Sequence, residues 1–145
     1  MVKGRVLLGA LVIAAFAAAC SSNSHGVKTG TSVNNSQQYE GDARPVRLAT
    51  TNFLKYEGSL VSSSQAAPFS KALITFADVL LAQTWPNNAE ADIRKLAATS
   101  RLEGTVLQAG LTARNGLQID ELEGGATTEA QKVRSDLGLP PPPAT

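Results

Sequence analysis

Residues 68–81 read PFSKALITFADVLL, and this stretch decides the fold. Phe69, Leu73, Phe76 and Leu80 recur at steps of four, three and four. That spacing stacks them on one face of a helix with 3.6 residues per turn. Ala72, Ile74, Ala77, Val79 and Leu81 widen the apolar face, so this helix is expected to be the most buried element. Pro68 sits near its start, where a missing N–H costs least. Asp78 projects opposite Phe69, Phe76 and Leu80 at 100° per residue and is expected to face water. Trp85-Pro86 ends the helix, because the residue before a proline is pushed out of the helical region.

Downstream, Asn87 with Glu90 three residues later has the form of a capping box. Ile93, Leu96, Ala97, Ser100, Gly104, Leu107 and Leu111 then share one helical face, with Leu102, Val106 and Ala109 roughly opposite. The helix is therefore either broken near Gly104 or covered on two sides. Asn115-Gly116 reads as its stop. Leu117 to Gly125 reads as a connection, with Leu117, Ile119 and Leu122 tucked against the other helices. Thr128 and Gln131 are expected to cap a short last helix using Val133 and Leu137. Gly138-Leu139-Pro140 closes it in the order of C′ glycine, apolar contact and proline.

Upstream, Val46, Ala49, Phe53, Tyr56 and Leu60 step by three and four, predicting a first helix that Ser62-Ser63-Ser64 ends. Before it, Ser21 to about Gln38 is polar and small, too poor in apolar surface to offset ordering entropy. The expected fold is all-α: an up-down bundle of three long helices plus a short C-terminal helix, after a disordered tether. The boundaries are a leader at 1–19, a tether at 20–41, the bundle at 42–139 and a Pro-rich tail at 140–145.

The leader follows from the start of the chain. Lys3 and Arg5 precede an apolar run that reaches Ala17-Ala18-Ala19-Cys20. A positive start, a short apolar stretch and small residues make the pattern of an export signal. From Val6 to Ala19 there are fourteen residues, fewer than the roughly 18–20 that a spanning helix needs. The segment resembles the signal peptides of bacterial lipoproteins, Ala18 and Ala19 matching the small positions and Cys20 the modified one. Ala17 departs from the leucine more usual there. The resemblance implies cleavage before Cys20, a diacylglyceryl group on its sulfur and acylation of the new amino terminus, hence anchoring outside the cell membrane. Ala17-Ala18-Ala19 also satisfies the rule for ordinary signal peptidase, which would cut the same bond and leave a free thiol.

Composition narrows the remaining classes. Loss of Lys3 and Arg5 takes the formal net charge from +1 to −1, and no basic stripe suggests nucleic acid as a partner. Cys20 is the only cysteine, so no disulfide supports the fold. His25 is the only histidine and falls in the tether, where it cannot be held against a nucleophile. The same shortage argues against zinc.

Asp120, Glu121 and Glu123 precede Gly124-Gly125 with Glu129 beyond, but Leu122 and Gly124 occupy positions where a calcium loop needs oxygen ligands. This reads as a solvated acidic loop, and no pair of buried carboxylates is expected. Trp85 reads as a cap on the core, and Pro140 to Pro143 as an extended spacer. No cofactor and no catalytic residue is expected. The layout is similar in style to small uncharacterised lipoproteins of actinobacteria or their phages. The lipid tether, the small helical bundle and the lack of catalytic groups point to a non-catalytic module binding or blocking an envelope protein, with exclusion of a second phage as its form if a phage encodes it. The alternative is a carrier of an apolar molecule or lipid between the helices.

Overall fold

A computed structural model describes residues 30–141. Four helices follow in order: α1 Gly30–Phe53, α2 Ser63–Ala82, α3 Asn87–Leu107 and α4 Gly116–Asp136. Each packs chiefly on its neighbours in the chain, α2 on α3 most extensively, giving the up-down bundle expected from short connections. Neither the leader nor Cys20 and His25 lie within the described residues.

The α2 face is as read: Ala66, Phe69, Ser70, Leu73, Phe76, Ala77 and Leu80 are buried. Burying a Leu or Phe side chain is worth about 1.5–3 kcal/mol, so this helix carries much of the core. Asp78 faces water and pairs with Arg101 of α3. The start of α2 differs from expectation. Ser62-Ser63-Ser64 opens this helix rather than ending the first one: the Ser62 hydroxyl accepts from the Gln65 N–H, and the Gln65 side-chain Oε1 accepts from the Ser62 N–H.

Trp85 is buried in the α2–α3 turn, where its Nε1–H donates to the Leu80 carbonyl at 2.7 Å. One of the carbonyls orphaned at the end of α2 is thereby satisfied from the core side. Trp85→Phe keeps the ring but strands that carbonyl. Chemical denaturation should show a loss of about 1–3 kcal/mol. The α3 cap is not the box expected. Pro86 occupies the cap, and Glu90 instead accepts from Arg94 one turn on at 2.7 Å. The α3 face is the one read, except that Leu111 lies beyond the helix end at Leu107; the helix is unbroken at Gly104, and Leu102 on the opposite side is exposed rather than covered.

Two boundaries are corrected. Residues 30–41, read as tether, are helical and belong to α1. Their anchor is Tyr39, buried edge-on against Phe76 at 6.2 Å between ring centroids, and one aromatic side chain compensates a polar run. The helix also tolerates Pro45, because Pro45 and Gly41, whose carbonyl loses its donor, are both exposed to water. It ends at Phe53 and a 3-10 turn, so Leu60 leaves the apolar face and is 67% exposed.

The second correction concerns residues 117–125, which form the first half of α4 and make it a long helix rather than a short one. Asn115-Gly116 opens α4 instead of stopping α3. Leu117 is 82% exposed, whereas Ile119 is buried as expected. Gly124-Gly125 does not break α4, and Thr128 bonds back to the Gly124 carbonyl within the helix rather than capping a new one. The C-terminus is the one read: the Gly138 N–H reaches the Ser135 carbonyl and the Leu139 N–H the Arg134 carbonyl, a Schellman closure.

The two ends of the bundle differ. At one, Val61 and Leu111 exchange both backbone hydrogen bonds at 2.9 and 2.8 Å, joining the α1–α2 loop to the α3–α4 loop. At the other, the start of α1, the α2–α3 turn and the end of α4 meet.

Candidate functional site

Two polar constructions stand out against the apolar interior. The first lies between α3 and α4. Glu103 follows Ser100 by three residues and precedes Leu107 by four, which puts it on the buried face of α3 at 2% exposure. On α4, Ile119, Glu123, Ala126, Ala130 and Val133 follow at steps of four and three, so Glu123 shares the packed face of the facing helix, half-buried. Burial is the main cause that lifts the Glu103 carboxyl to about 8, with the charge of Glu123 adding to it. Glu123 is lifted to about 8 by burial first and by Asp120 second. A carboxylic acid kept neutral near pH 7 can donate a hydrogen bond.

The α4 helix corrects the expectation of a solvated acidic loop, while of the two carboxylates only Glu103 is buried and Glu123 is half-buried. Asp120 and Glu123 lie on a packed helix, and Glu123 couples to Glu103 across the interface. The signal was present in the sequence. Glu103 continues the Leu96-Ser100 register, and Glu123 continues that of Ile119 once α4 is started at Gly116. Among the described residues no group of three or more His, Cys, Asp or Glu side chains could hold a metal ion.

The second construction closes the end where α1 begins. Arg134 of α4 is almost fully buried; its guanidinium pairs with Glu40 of α1 and donates to the Pro140 carbonyl through Nε and Nη2 at 3.0 and 2.8 Å. Arg47 holds the other oxygen of Glu40 at 2.8 Å. Ser36 Oγ donates to the Leu137 carbonyl at 2.6 Å, and Asn88 Nδ2 to the Asp136 carbonyl at 2.8 Å. Three helices and the tail are thus joined by polar links, and the buried arginine is satisfied on both sides. Removing one partner of such a pair costs more than the pair itself contributes.

Beside these links opens a groove of about 590 Å³, with Asn35, Gln37, Glu40, Pro86, Asp136 and Leu139 among its walls. No protein-family model, curated protein or solved structure matches the chain. Of the residues singled out in the sequence, Trp85 caps the core and Asp78 lies at the surface, as expected, and Asp78 also pairs with Arg101. Glu121 is exposed, while Glu129 is half-buried with one carboxylate oxygen lacking a hydrogen-bond partner. Neither joins the Glu103–Glu123 pair.

Proposed function

We propose that the chain is an exported lipoprotein, anchored outside the cell membrane through lipid on Cys20, whose bundle acts as a non-catalytic interaction module in the cell envelope. The observation that carries this reading is the run Ala17-Ala18-Ala19-Cys20, directly after a short apolar stretch and ten residues ahead of the first helix at Gly30. A lipid at Cys20 would hold the Arg134–Glu40 end of the bundle toward the bilayer and leave the Val61–Leu111 end facing away. Two or more acyl chains give stable anchoring where one gives only marginal binding. In a phage genome, exclusion of a second phage is the specific form this role takes.

The Glu103 and Glu123 carboxylates do not argue for catalysis, since one is buried, the other half-buried, and neither is among the residues that line the groove. The carrier reading draws less support. Gly104 of α3 lies so close to α2 that a methyl group there would meet Ile74 Cγ1 and the Ser70 carbonyl at 2.8 Å, leaving little room between these helices.

Intact mass spectrometry of the mature chain from the membrane fraction tests the anchor. The expected mass is that of residues 20–145 plus a diacylglyceryl and an acyl group, and Cys20→Ser should abolish both the addition and the membrane association. An unmodified thiol at Cys20 would overturn the anchor.

A further inference from the structure

We infer that a second, smaller groove, between the end of α1 and the start of α2, receives the proline run Pro140 to Pro143 of another copy of this chain. The inference deepens the interaction-module reading and rests on it, naming the chain itself as one partner; it does not depend on the lipid at Cys20.

This groove is built where aromatic residues close α1 on α2. It holds about 240 Å³, less than the roughly 300–1,000 Å³ of pockets for drug-sized molecules, and suits a short extended segment. Phe53 and Phe69, both buried, form its floor with ring centroids 5.0 Å apart. The half-buried Tyr56 and the exposed Pro68 rise beside them. Phe53 meets the Tyr56 ring edge-on, and Lys55 Nζ lies 4.9 Å over that ring, which fixes its plane. The polar groups of the wall favour donors. Lys55 can only donate, the exposed Asn52 amide carries two N–H groups, and Gln65 has committed its Oε1 to the α2 cap and keeps its Nε2. The matching ligand has rings to lie on the aromatics, carbonyls to accept, and few N–H groups of its own.

A run of prolines has that form. Each residue offers a carbonyl and no N–H, and a polyproline II segment loses little freedom when it docks on an aromatic-lined groove. Pro140 and Pro141 are exposed, and the Pro140 carbonyl is held by Nε and Nη2 of Arg134, so the run starts from a fixed point. That point is at the wrong end for its own groove. Arg134 also pairs with Glu40, and Glu40 is separated from Phe53 by roughly 20 Å of α1 at 1.5 Å per residue. Three residues beyond Pro140 carry the chain about 11 Å at most. The prolines therefore meet this groove only on another copy. Because tail and groove are different surfaces, the contact is heterologous, and it can extend as an open row of molecules.

The test uses the isotope-labelled mature chain, purified from membranes with detergent in enough excess that a micelle holds one chain. Adding the peptide acetyl-Leu-Pro-Pro-Pro-Pro-Ala-Thr should move the backbone amide signals of Asn52, Tyr56, Ser64 and Gln65 saturably and leave those of Asn88 and Gly138 in place. A peptide with alanine at the four proline positions should move none. Asn52→Ala should weaken binding about fivefold, the worth of one hydrogen bond, with the unfolding midpoint unchanged because Asn52 is exposed. Unlabelled parent chain should reproduce the shifts, and unlabelled chain with Pro141, Pro142 and Pro143 changed to serine should not. No response to the proline peptide, or equal shifts from the serine variant, would overturn the inference. If the peptide binds but the parent chain moves nothing, the groove takes prolines of another protein and the assignment to a second copy falls. An envelope partner held elsewhere on the bundle is untouched by these failures, so the interaction-module reading stands or falls separately.

Discussion

Raising the pH from 5 to 9 is expected to lower the thermal unfolding midpoint of the bundle by about 10 °C, and Glu103→Gln should remove about half of that fall. The direction follows from proton linkage. Glu103 and Glu123 ionise near their ordinary value of 4.5 when unfolded and near 8 when folded. Below 4.5 both states hold the protons, and the interface keeps its full stability. Between 4.5 and 8 the folded chain binds more protons than the unfolded one, so stability drops as pH rises, and it is lost through pH 8.

Each pKa unit is worth about 1.4 kcal/mol, so Glu103 alone accounts for about 3 kcal/mol after allowance for relaxation of the helices. For a domain whose whole stability is about 5–15 kcal/mol this is a large share. Asp42, also raised by burial despite a hydrogen bond from Gln83, acts in the same direction. The measurement is circular dichroism at 222 nm against temperature for both chains. A midpoint that stays level from pH 5 to 9 in the parent protein would mean that water reaches the pair.

Gly110→Ala should destabilise the bundle by about 2–4 kcal/mol, and Gly58→Ala by only about 1 kcal/mol. Both glycines have the positive φ that side chains resist, 82° and 77°. They differ in surroundings. A methyl group on Gly58 meets nothing within 4 Å, whereas one on Gly110 would strike the Val61 carbonyl and the backbone of Ser62 and Ser63. Those atoms belong to the bridge joining the two loops and to the cap of α2, so no flexible side chain can move aside. The difference between the two variants in urea unfolding isolates the collision from the strain. Equal losses would show that the Val61–Leu111 contact yields without cost.

The legibility of this fold varied by helix for physical reasons. α2 was plain because Phe69, Leu73, Phe76 and Leu80 make a wide apolar face in which Ser70 is the one polar residue buried. α3 was nearly as plain, but its buried glutamate was passed over because a carboxylate in an apolar register is usually a surface residue. α1 was read too short because its first turns are Ser, Asn and Gln, and composition does not show that one tyrosine is buried against α2. α4 was cut in half by Gly124-Gly125, a pair whose helical cost is offset by packing on α3. That break hid the register of Glu123, and with it the pairing across the interface. The groove combines α1, the α2–α3 turn, α3 and α4, and no local pattern foretells such a meeting.

The course of α1 has a mechanical consequence. It runs from one end of the bundle to the other as one helix, roughly 36 Å long at 1.5 Å per residue. A load applied ahead of Gly30 and resisted at the loop after Phe53 would pass along this single strut, leaving the other three helices off the line of force. Under such tension the strut should yield first at Pro45, the one interior position whose backbone contributes no rung to the helical ladder.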